Sequence, residues 1–304
     1  MSQVFSHPDK ILSGKTVAAH VNERIVHQVS LLKEQGIEPK LSVILVGDDP
    51  ASQVYVRRKE KSCHKLGIQS KTYRLPEKTS QEELLRLISR LNSDVSNNGI
   101  LVQLPLPAHI NEDKILLAVN PQKDVDCFHP QNVGLLVSGK PFVLPCTPAG
   151  IVEILNYYSI ATEGKHAVVL GRSNIVGKPM ANLLMQKNSR ANATVTVVHS
   201  RTPNIPELTN QADIVIAAIG KARFVTKDMV KEDAVVIDVG INRIDADNEK
   251  GYALVGDVDF DGLIDKVAAI TPVPGGVGPM TIAMLMQNTV TVAAAQNNID
   301  LSSS

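Results

Sequence analysis

Two long stretches of the chain alternate short apolar runs with amphipathic segments, and each alternation predicts strand followed by helix. Lys40–Val46 (KLSVILV) is rich in branched apolar residues and closes on Gly47-Asp48-Asp49-Pro50, which predicts a buried strand ending in a turn. From Ser52 to about Leu66 the pattern is helical and stops at Gly67, suited to the left-handed position past a helix end. Ile68–Leu75 alternates as a strand. Ser80-Gln81-Glu82-Glu83 carries a capping-box signature opening a helix to about Asn92, and Gly99–Leu104 (GILVQL) predicts a strand closed by Pro105-Leu106-Pro107. Pro121 to Pro148 is rich in Pro, Gly and Asp and lacks periodicity, which places the domain junction near its end.

From His166 a second alternation begins: a strand (AVVLG), a helix, a strand (TVTVVHS), then buried strands in ADIVIAAIG and AVVIDVG. The last two end in glycine, as expected where a strand's C-terminal end approaches a ligand. The loop Thr271–Gly278 precedes a final helix from about Met280 that is expected to return to the first domain. Such alternation implies parallel sheets covered on both faces. The expected fold is therefore α/β with two lobes: a first domain over 1–145, completed by a C-terminal helix over 280–304, and a Rossmann-like domain over 146–279. No internal repeat stands out beyond this architectural echo.

The length of 304 residues suits two domains, and 43% hydrophobic residues suffice for their cores. Lys+Arg and Asp+Glu are both 31, so nothing in the overall charge points to nucleic acid or a membrane surface. Aromatic residues are only 3%, without Trp, which argues against stacking platforms for single strands. Three scattered cysteines predict no disulfide framework and fit a reducing cytoplasm. The polar N-terminus predicts no signal peptide, and no later apolar run is long enough to span a bilayer. No metal is expected, because there is no HExxH, no paired Cys, and the eight His are dispersed.

Candidate chemistry concentrates in two places. Gly171-Arg172-Ser173-Asn174-Ile175-Val176-Gly177 follows a strand and opens a helix, the junction where backbone N–H groups and the helix dipole meet a pyrophosphate. Taken alone, this pattern is also compatible with a plain tight turn. The next strand ends in His199-Ser200-Arg201, where an NAD-binding fold would usually carry an acidic residue for the ribose hydroxyls. A serine and an arginine would instead attract a 2′-phosphate, and Arg172 adds a second positive charge, so the set favours NADP over NAD. His199 itself is read as local polar structure. In the first domain Tyr55 and Lys59 are four apart on one helix and share a face. By geometry alone, Lys59 within Arg57–Lys61 reads as part of a solvated face.

Longer segments change that reading. Val46–Ile68, Gly99–Pro107, Lys123–Asp126, Pro145–Pro148, Gly171–Pro179 and Pro272–Thr281 resemble, in order and across nearly the whole chain, the bifunctional methylenetetrahydrofolate dehydrogenase/cyclohydrolases. The resemblance implies NADP-dependent oxidation of 5,10-methylenetetrahydrofolate to the methenyl form, followed by hydrolysis to 10-formyltetrahydrofolate. It further implies a folate cleft between the two lobes, a homodimer through the cofactor domain, and a supply of one-carbon units to purine, methionine and histidine biosynthesis. By position, Lys59 matches the family's catalytic lysine and Gln103 its partner. Tyr55 matches the residue flanking the folate, and Asp126 the carboxylate that holds the pterin. Val102, Leu104, Pro274, Gly275 and Gly276 match further substrate-lining positions. Gly171, Arg172, Ser173, Ser200, Arg201, Ile241, Gly278 and Thr281 match the cofactor site, with the Ile241 backbone at the nicotinamide amide.

One departure is visible: the family pattern reads Asp-Val-Asp-Gly-Phe, and here Cys127 replaces the glycine. If that position needs φ > 0, a side chain there costs roughly 1 kcal/mol or more and could displace Asp126. If φ is negative, the exchange is nearly neutral. A thiol at that position also raises the prospect of an oxidisable site. Other readings are a monofunctional dehydrogenase, a catalytically silent nucleotide-binding relative, or a different two-domain dehydrogenase. The last has no use for the Tyr55/Lys59 pair.

Overall fold

A computed structural model describes residues 7–248 and 251–301. The expectations for the first six residues and for the last three of the C-terminal helix lie outside them. Contacts divide the chain into two compact units, 19–146 with 282–304 and 1–18 with 147–281.

The first unit is built on three parallel strands, β1 (Lys40–Val46), β2 (Gln69–Leu75) and β3 (Gly99–Val102), in the order β2-β1-β3. The central strand β1 is almost wholly buried, which explains its continuous apolar run, whereas β2 is an edge with mostly polar positions. Helices α1 (Gly14–Glu34), α2 (Pro50–Leu66), α3 (Gln81–Ser93), α4 (Glu112–Ala118) and α5 (Pro130–Val137) follow the chain, with α1 starting in the other unit. Ile44, Leu84, Ile88, Ile100 and Ile115 meet in one core cluster, each fully burying a side chain worth roughly 1.5–3 kcal/mol.

Local signals account for the helix ends. Asp49 caps α2 by accepting from Ser52 N at 2.7 Å, and Pro50 sits where its missing N–H is harmless. Gly67 ends α2 in the left-handed conformation at φ +74°. Ser80 and Glu83 cap α3 reciprocally, Glu83 N to Ser80 Oγ at 3.2 Å and Ser80 N to Glu83 Oε2 at 2.9 Å. Helix α1 was not anticipated, although Val17, Val21, Ile25, Val29 and Leu32 form a buried stripe at helical spacing.

The second unit has a five-stranded parallel sheet in the order β10-β7-β6-β4-β5, comprising β4 (His166–Leu170), β5 (Thr194–Val198), β6 (Ile214–Ala217), β7 (Val235–Asp238) and β10 (Ala269–Ile270). Helices α6 (Cys146–Tyr157), α7 (Gly177–Leu184), α8 (Ile205–Thr209) and α9 (Phe260–Leu263) accompany it, with a separate antiparallel hairpin of β8 (Asn242–Asp245) and β9 (Tyr252–Val255). The chain passes from β4 to β5 on one side and then to β6 on the other. This reversal makes the C-terminal ends of β4 and β6 the switch point where α/β sheets take ligands.

Three boundaries differ from the sequence expectation. Strand β3 stops at Val102, and Gln103 continues the pairing only through its N–H to Ile44 O at 2.9 Å. The last helix, α10 (Val277–Gln296), begins before Met280, with Pro279 in its first turn, where no intrahelical donor is lost, and it ends at Gln296 instead of continuing as expected, residues 297–301 being non-helical. Residues 7–18 pack in the second unit: Ile11 bridges Ile270, Leu12 N donates to Ile270 O at 2.9 Å, and Lys10 Nζ donates to Ile264 O at 3.2 Å. Such pairing across about 255 residues leaves no local mark in the sequence. Beyond Thr281, α10 belongs to the first unit, where Asn288 Nδ2 donates to Val125 O and Leu144 O at 2.8 and 2.7 Å. No helix among the described residues is long and apolar enough to cross a membrane.

Candidate active site

Helix α2 buries Val56, Lys59, Cys63 and Leu66, spaced three, four and three apart, so Lys59 occupies a core-facing position of an amphipathic helix. It is 8% exposed, while Arg57, Arg58 and Lys61 of the same run are exposed. The solvated-face reading therefore holds for its neighbours and fails for Lys59. Its Nζ donates to Gln103 Oε1 at 3.0 Å. Gln103 in turn donates from Nε2 to Leu104 O at 2.8 Å, which turns the amide oxygen towards the amine. Tyr55, one turn earlier on α2, is half-buried, and burial raises its hydroxyl pKa.

Asp126 stands in a loop tied down at both ends. Lys123 Nζ donates to Leu91 O and Asp94 O, at 3.0 and 2.7 Å, closing the C-terminal end of α3. The buried Asp124 accepts from Phe128 N at 3.2 Å, His129 N at 2.8 Å and Asn132 Nδ2 at 2.9 Å. Asp126 lines a pocket with Val102, Phe128 and His129 and accepts from Cys146 Sγ at 3.5 Å. Burial pushes its carboxyl above the usual range; the Lys59 charge opposes this, and the Asp124 charge adds to it. Tyr55, Lys59, Val102, Gln103, Leu104 and Asp126 thus all fall in the first unit.

Cys127 has φ +61° and is 1% exposed, so the costly branch of the sequence expectation applies. Its Sγ lies 3.3 Å from Val143 O. Burial, with the charges of Asp124 and Asp126, pushes the thiol pKa well up, which disfavours the thiolate and argues against an oxidisable site.

In the second unit, β4 is followed directly by Gly171, whose φ is +126° and whose added Cβ would lie 2.1 Å from Ala218 O. A Cβ on Gly177 would lie 2.2 Å from Gly171 O. Only glycine permits this close passage between the ends of β4 and β6 and the start of α7. Ser173 Oγ accepts from Val176 N and Gly177 N, at 3.1 and 3.3 Å, which caps the approach to α7 and leaves its O–H to donate. Because Leu170 pairs with Val198, Arg172 and the Ser200-Arg201 turn leave adjacent strand ends at one edge, all three exposed. His199 shapes that turn, its Nδ1 accepting from Arg201 N at 3.2 Å. Two cations, two hydroxyls and a glycine passage fit a dinucleotide bearing a 2′-phosphate.

Ile241, 48% exposed, stands beside Gly278, where an added Cβ would be 3.8 Å from Ile241 Cδ1. Thr281 Oγ1 lies 2.9 Å from Thr147 Oγ1. Pro274, Gly275 and Gly276 belong to this second unit. Gly275 has φ +111°, and Gly276 packs so tightly that a Cβ on Gly14 would meet its carbonyl oxygen at 1.8 Å. Sequence reasoning missed Asp124, Cys146 and Asn288 around Asp126. Asn288 had a visible signal: with Gln287 it forms an adjacent pair of amides in a helix whose residues are mostly apolar.

Comparison with known proteins gives a consistent result. A family model described as the tetrahydrofolate dehydrogenase/cyclohydrolase catalytic domain matches residues 12–126, and the NAD(P)-binding domain of the same family matches 145–297. A bifunctional protein FolD of Chloroherpeton thalassium is 59% identical over 285 residues, covering 92% of this chain and 97% of the relative. A crystal structure of the Campylobacter jejuni bifunctional dehydrogenase/cyclohydrolase superposes with a TM-score of 0.88 at 51% identity, covering 94% of this chain and 98% of that one. The Trypanosoma brucei dehydrogenase-cyclohydrolase, complexed with NADP cofactor and inhibitor, gives a TM-score of 0.88 at 40% identity over 94% and 97%. With both halves matched in order by the family's two domain models and a relative 59% identical over 92% of its length, this chain belongs to the tetrahydrofolate dehydrogenase/cyclohydrolase family.

Proposed function

We propose that this chain is a bifunctional enzyme that oxidises 5,10-methylenetetrahydrofolate with NADP and hydrolyses the methenyl product to 10-formyltetrahydrofolate. The observation that carries this reading is the buried Lys59 held on the Gln103 amide. Family membership and relatives described as bifunctional support it. The first unit carries the folate chemistry and the second binds NADP. When bound there, NADP supplies the hydride acceptor. Arg172, Ser200 and Arg201 hold the 2′-phosphate, Gly171 and Ser173 the phosphates, and Ile241, Gly278 and Thr281 the nicotinamide end.

Hydrolysis runs on the first unit's own groups. Water adds to the methenyl carbon and gives one proton to the Lys59 amine. The C–N5 bond then breaks as the new hydroxyl loses its proton to solvent and N5 takes the proton back from Lys59, which leaves the formyl group on N10 and releases one proton net. Gln103 offers a neutral oxygen, which orients the amine without fixing its charge as a carboxylate would. Asp126 accepts hydrogen bonds from the amino-pyrimidine edge, and Tyr55 packs against the folate between Lys59 and solvent. Val102 lines the pocket beside Asp126, and Leu104, next to Gln103, adds an apolar surface for the folate. A monofunctional dehydrogenase would have no need of the Lys59–Gln103 pair.

We further infer a homodimer through the cofactor unit, supported by the edge strand β5 and its exposed Val197. Three buried free thiols support a reducing, cytoplasmic setting, and the family chemistry supports a role in feeding purine, methionine and histidine biosynthesis. The test runs wild type and Lys59→Ala side by side with methylenetetrahydrofolate and NADP⁺ or NAD⁺, and separately with the methenyl substrate. NADP⁺ preference with hydrolysis abolished in the variant is expected. A wild type that reduces NADP⁺ without hydrolysing methenyl would overturn the role of Lys59.

A further inference from the structure

At the C-terminal edge of the second unit's sheet, two buried carboxylates interlock with glycines. Asp238 closes β7, its Oδ1 accepting from Gly240 N at 3.0 Å and Asp257 N at 2.8 Å, and its Oδ2 from Val258 N at 3.0 Å. Asp257, 0% exposed, accepts on Oδ2 from Ile219 N at 2.7 Å and Gly220 N at 2.8 Å, and on Oδ1 from Asn242 Nδ2 at 2.9 Å. The fit leaves no room for side chains. A Cβ on Gly240 would lie 2.2 Å from Asp257 Oδ1, and one on Gly256 would lie 1.7 Å from Asp238 Oδ2.

The two arms of Asp257 reach different loops. Ile219 and Gly220 belong to the loop after β6, which starts at Ala218, the residue whose carbonyl abuts Gly171. Asn242 opens β8, directly after Ile241 in the loop that leaves β7. A single carboxylate thus holds together the loops leaving β6 and β7, and the glycine passage ties the first of these to the end of β4. These three strand ends form the edge at which an α/β sheet takes its nucleotide.

We propose that Asp257 is a positioning residue for the cofactor, fixing the loop that carries Ile241 relative to the phosphate-binding turn at Gly171. The inference rests on the proposed NADP site. It also accounts for a buried side chain that accepts three hydrogen bonds and touches neither proposed reactant: its effect is the relative placement of two loops. Asn242 is the outer arm of the same latch.

The test compares full-length Asp257→Ala, Asp257→Asn and Asn242→Ala. Asp257→Ala is expected to raise KM for NADP⁺ at least about tenfold, with a smaller fall in kcat, since loose loops weaken binding before they alter chemistry. Asp257→Asn keeps an oxygen for the two amides while Asn242 turns its own amide to suit, and should recover most of the loss. Asn242→Ala removes one arm and should raise KM about threefold. Methenyl hydrolysis assayed without nucleotide, a reaction of the other unit, is the control and should stay within about twofold of wild type. A general folding defect would lower both activities together and leave KM for NADP⁺ unmoved. Unchanged KM in Asp257→Ala, or equal loss of hydrolysis, would overturn the proposal. Calorimetric titration with NADP⁺ reads the same effect as Kd, even if wild type shows no NADP⁺ reduction, so failure of the functional reading and failure of the latch remain distinguishable.

Discussion

Cys127 and Cys63 are equally buried, at 1% and 0% exposure, yet their backbones differ: φ is +61° at Cys127, while Cys63 lies inside helix α2. Replacing each by alanine and by glycine isolates that difference. Both replacements lose the thiol, so its packing cancels when the glycine and alanine variants at one site are compared. At Cys127 a Cβ in the left-handed region costs about 1–2 kcal/mol. Glycine avoids this but returns about 0.5–1 kcal/mol through the greater freedom of the unfolded chain. The glycine variant should therefore be more stable than the alanine variant by about 0.75 kcal/mol, the midpoint of a span of roughly 0–1.5 kcal/mol. At Cys63 the order should reverse, with glycine worse by about 1 kcal/mol, its usual penalty inside a helix. Urea unfolding followed by far-ultraviolet circular dichroism suits a chain without Trp, and both sites lie in the same compact unit. If Cys127→Ala is at least as stable as Cys127→Gly, the position is not strained and the reasoning fails. Kinetics extend the test, because relief of strain next to Asp126 should change KM for the folate. An unchanged KM would show that the strain stays out of the carboxylate's position.

Two pH effects follow from buried carboxyls. Asp126 is held above its usual range by burial, so the free protein begins to offer the pterin an ionised acceptor only as pH rises through that raised value. Folate affinity should accordingly increase with pH in wild type and stay flat in Asp126→Asn; titration calorimetry from pH 5 to 8 showing equal slopes would refute this. Asp238, in the second unit, is pushed from 3.8 up to about 7, by burial first, against three backbone donors. Because its folded value is raised, the folded state holds the extra proton between those limits. Stability should then fall as pH rises from about 4 to 7, by on the order of 4 kcal/mol. Asp238→Asn should remove that slope, and denaturation midpoints that rise over the same window in wild type would contradict it.

The elements most legible in the sequence were those encoded within a turn of chain. Ser80 and Glu83 announced α3, Gly67 announced the end of α2, and the branched runs of β1, β4, β6 and β7 announced buried parallel strands. Helix α1 was equally encoded by its stripe from Val17 to Leu32 and was overlooked among its interspersed charges. The hairpin of β8 and β9 was missed for a different reason: its half-exposed positions carry no clear alternation. Of the site, residue types and spacing brought Tyr55 and Lys59 to one helix face and placed Arg172, Ser200 and Arg201 at strand ends. The reactions and the roles of Gln103 and Asp126 came from family resemblance.

By itself, then, the sequence determined periodicity, caps, turn glycines and the family, because each is written in neighbouring residues or in ordered blocks. Only the tertiary structure decided that Lys59 is buried while its charged neighbours are not, since that depends on which face of α2 the sheet covers. Only it showed that Cys127 sits at positive φ, a conformation imposed by the packing of the loop between Asp124 and Val143. It also revealed Asp257, whose partners lie 37, 38 and 15 residues away and meet only where parallel strands bring their C-terminal ends side by side.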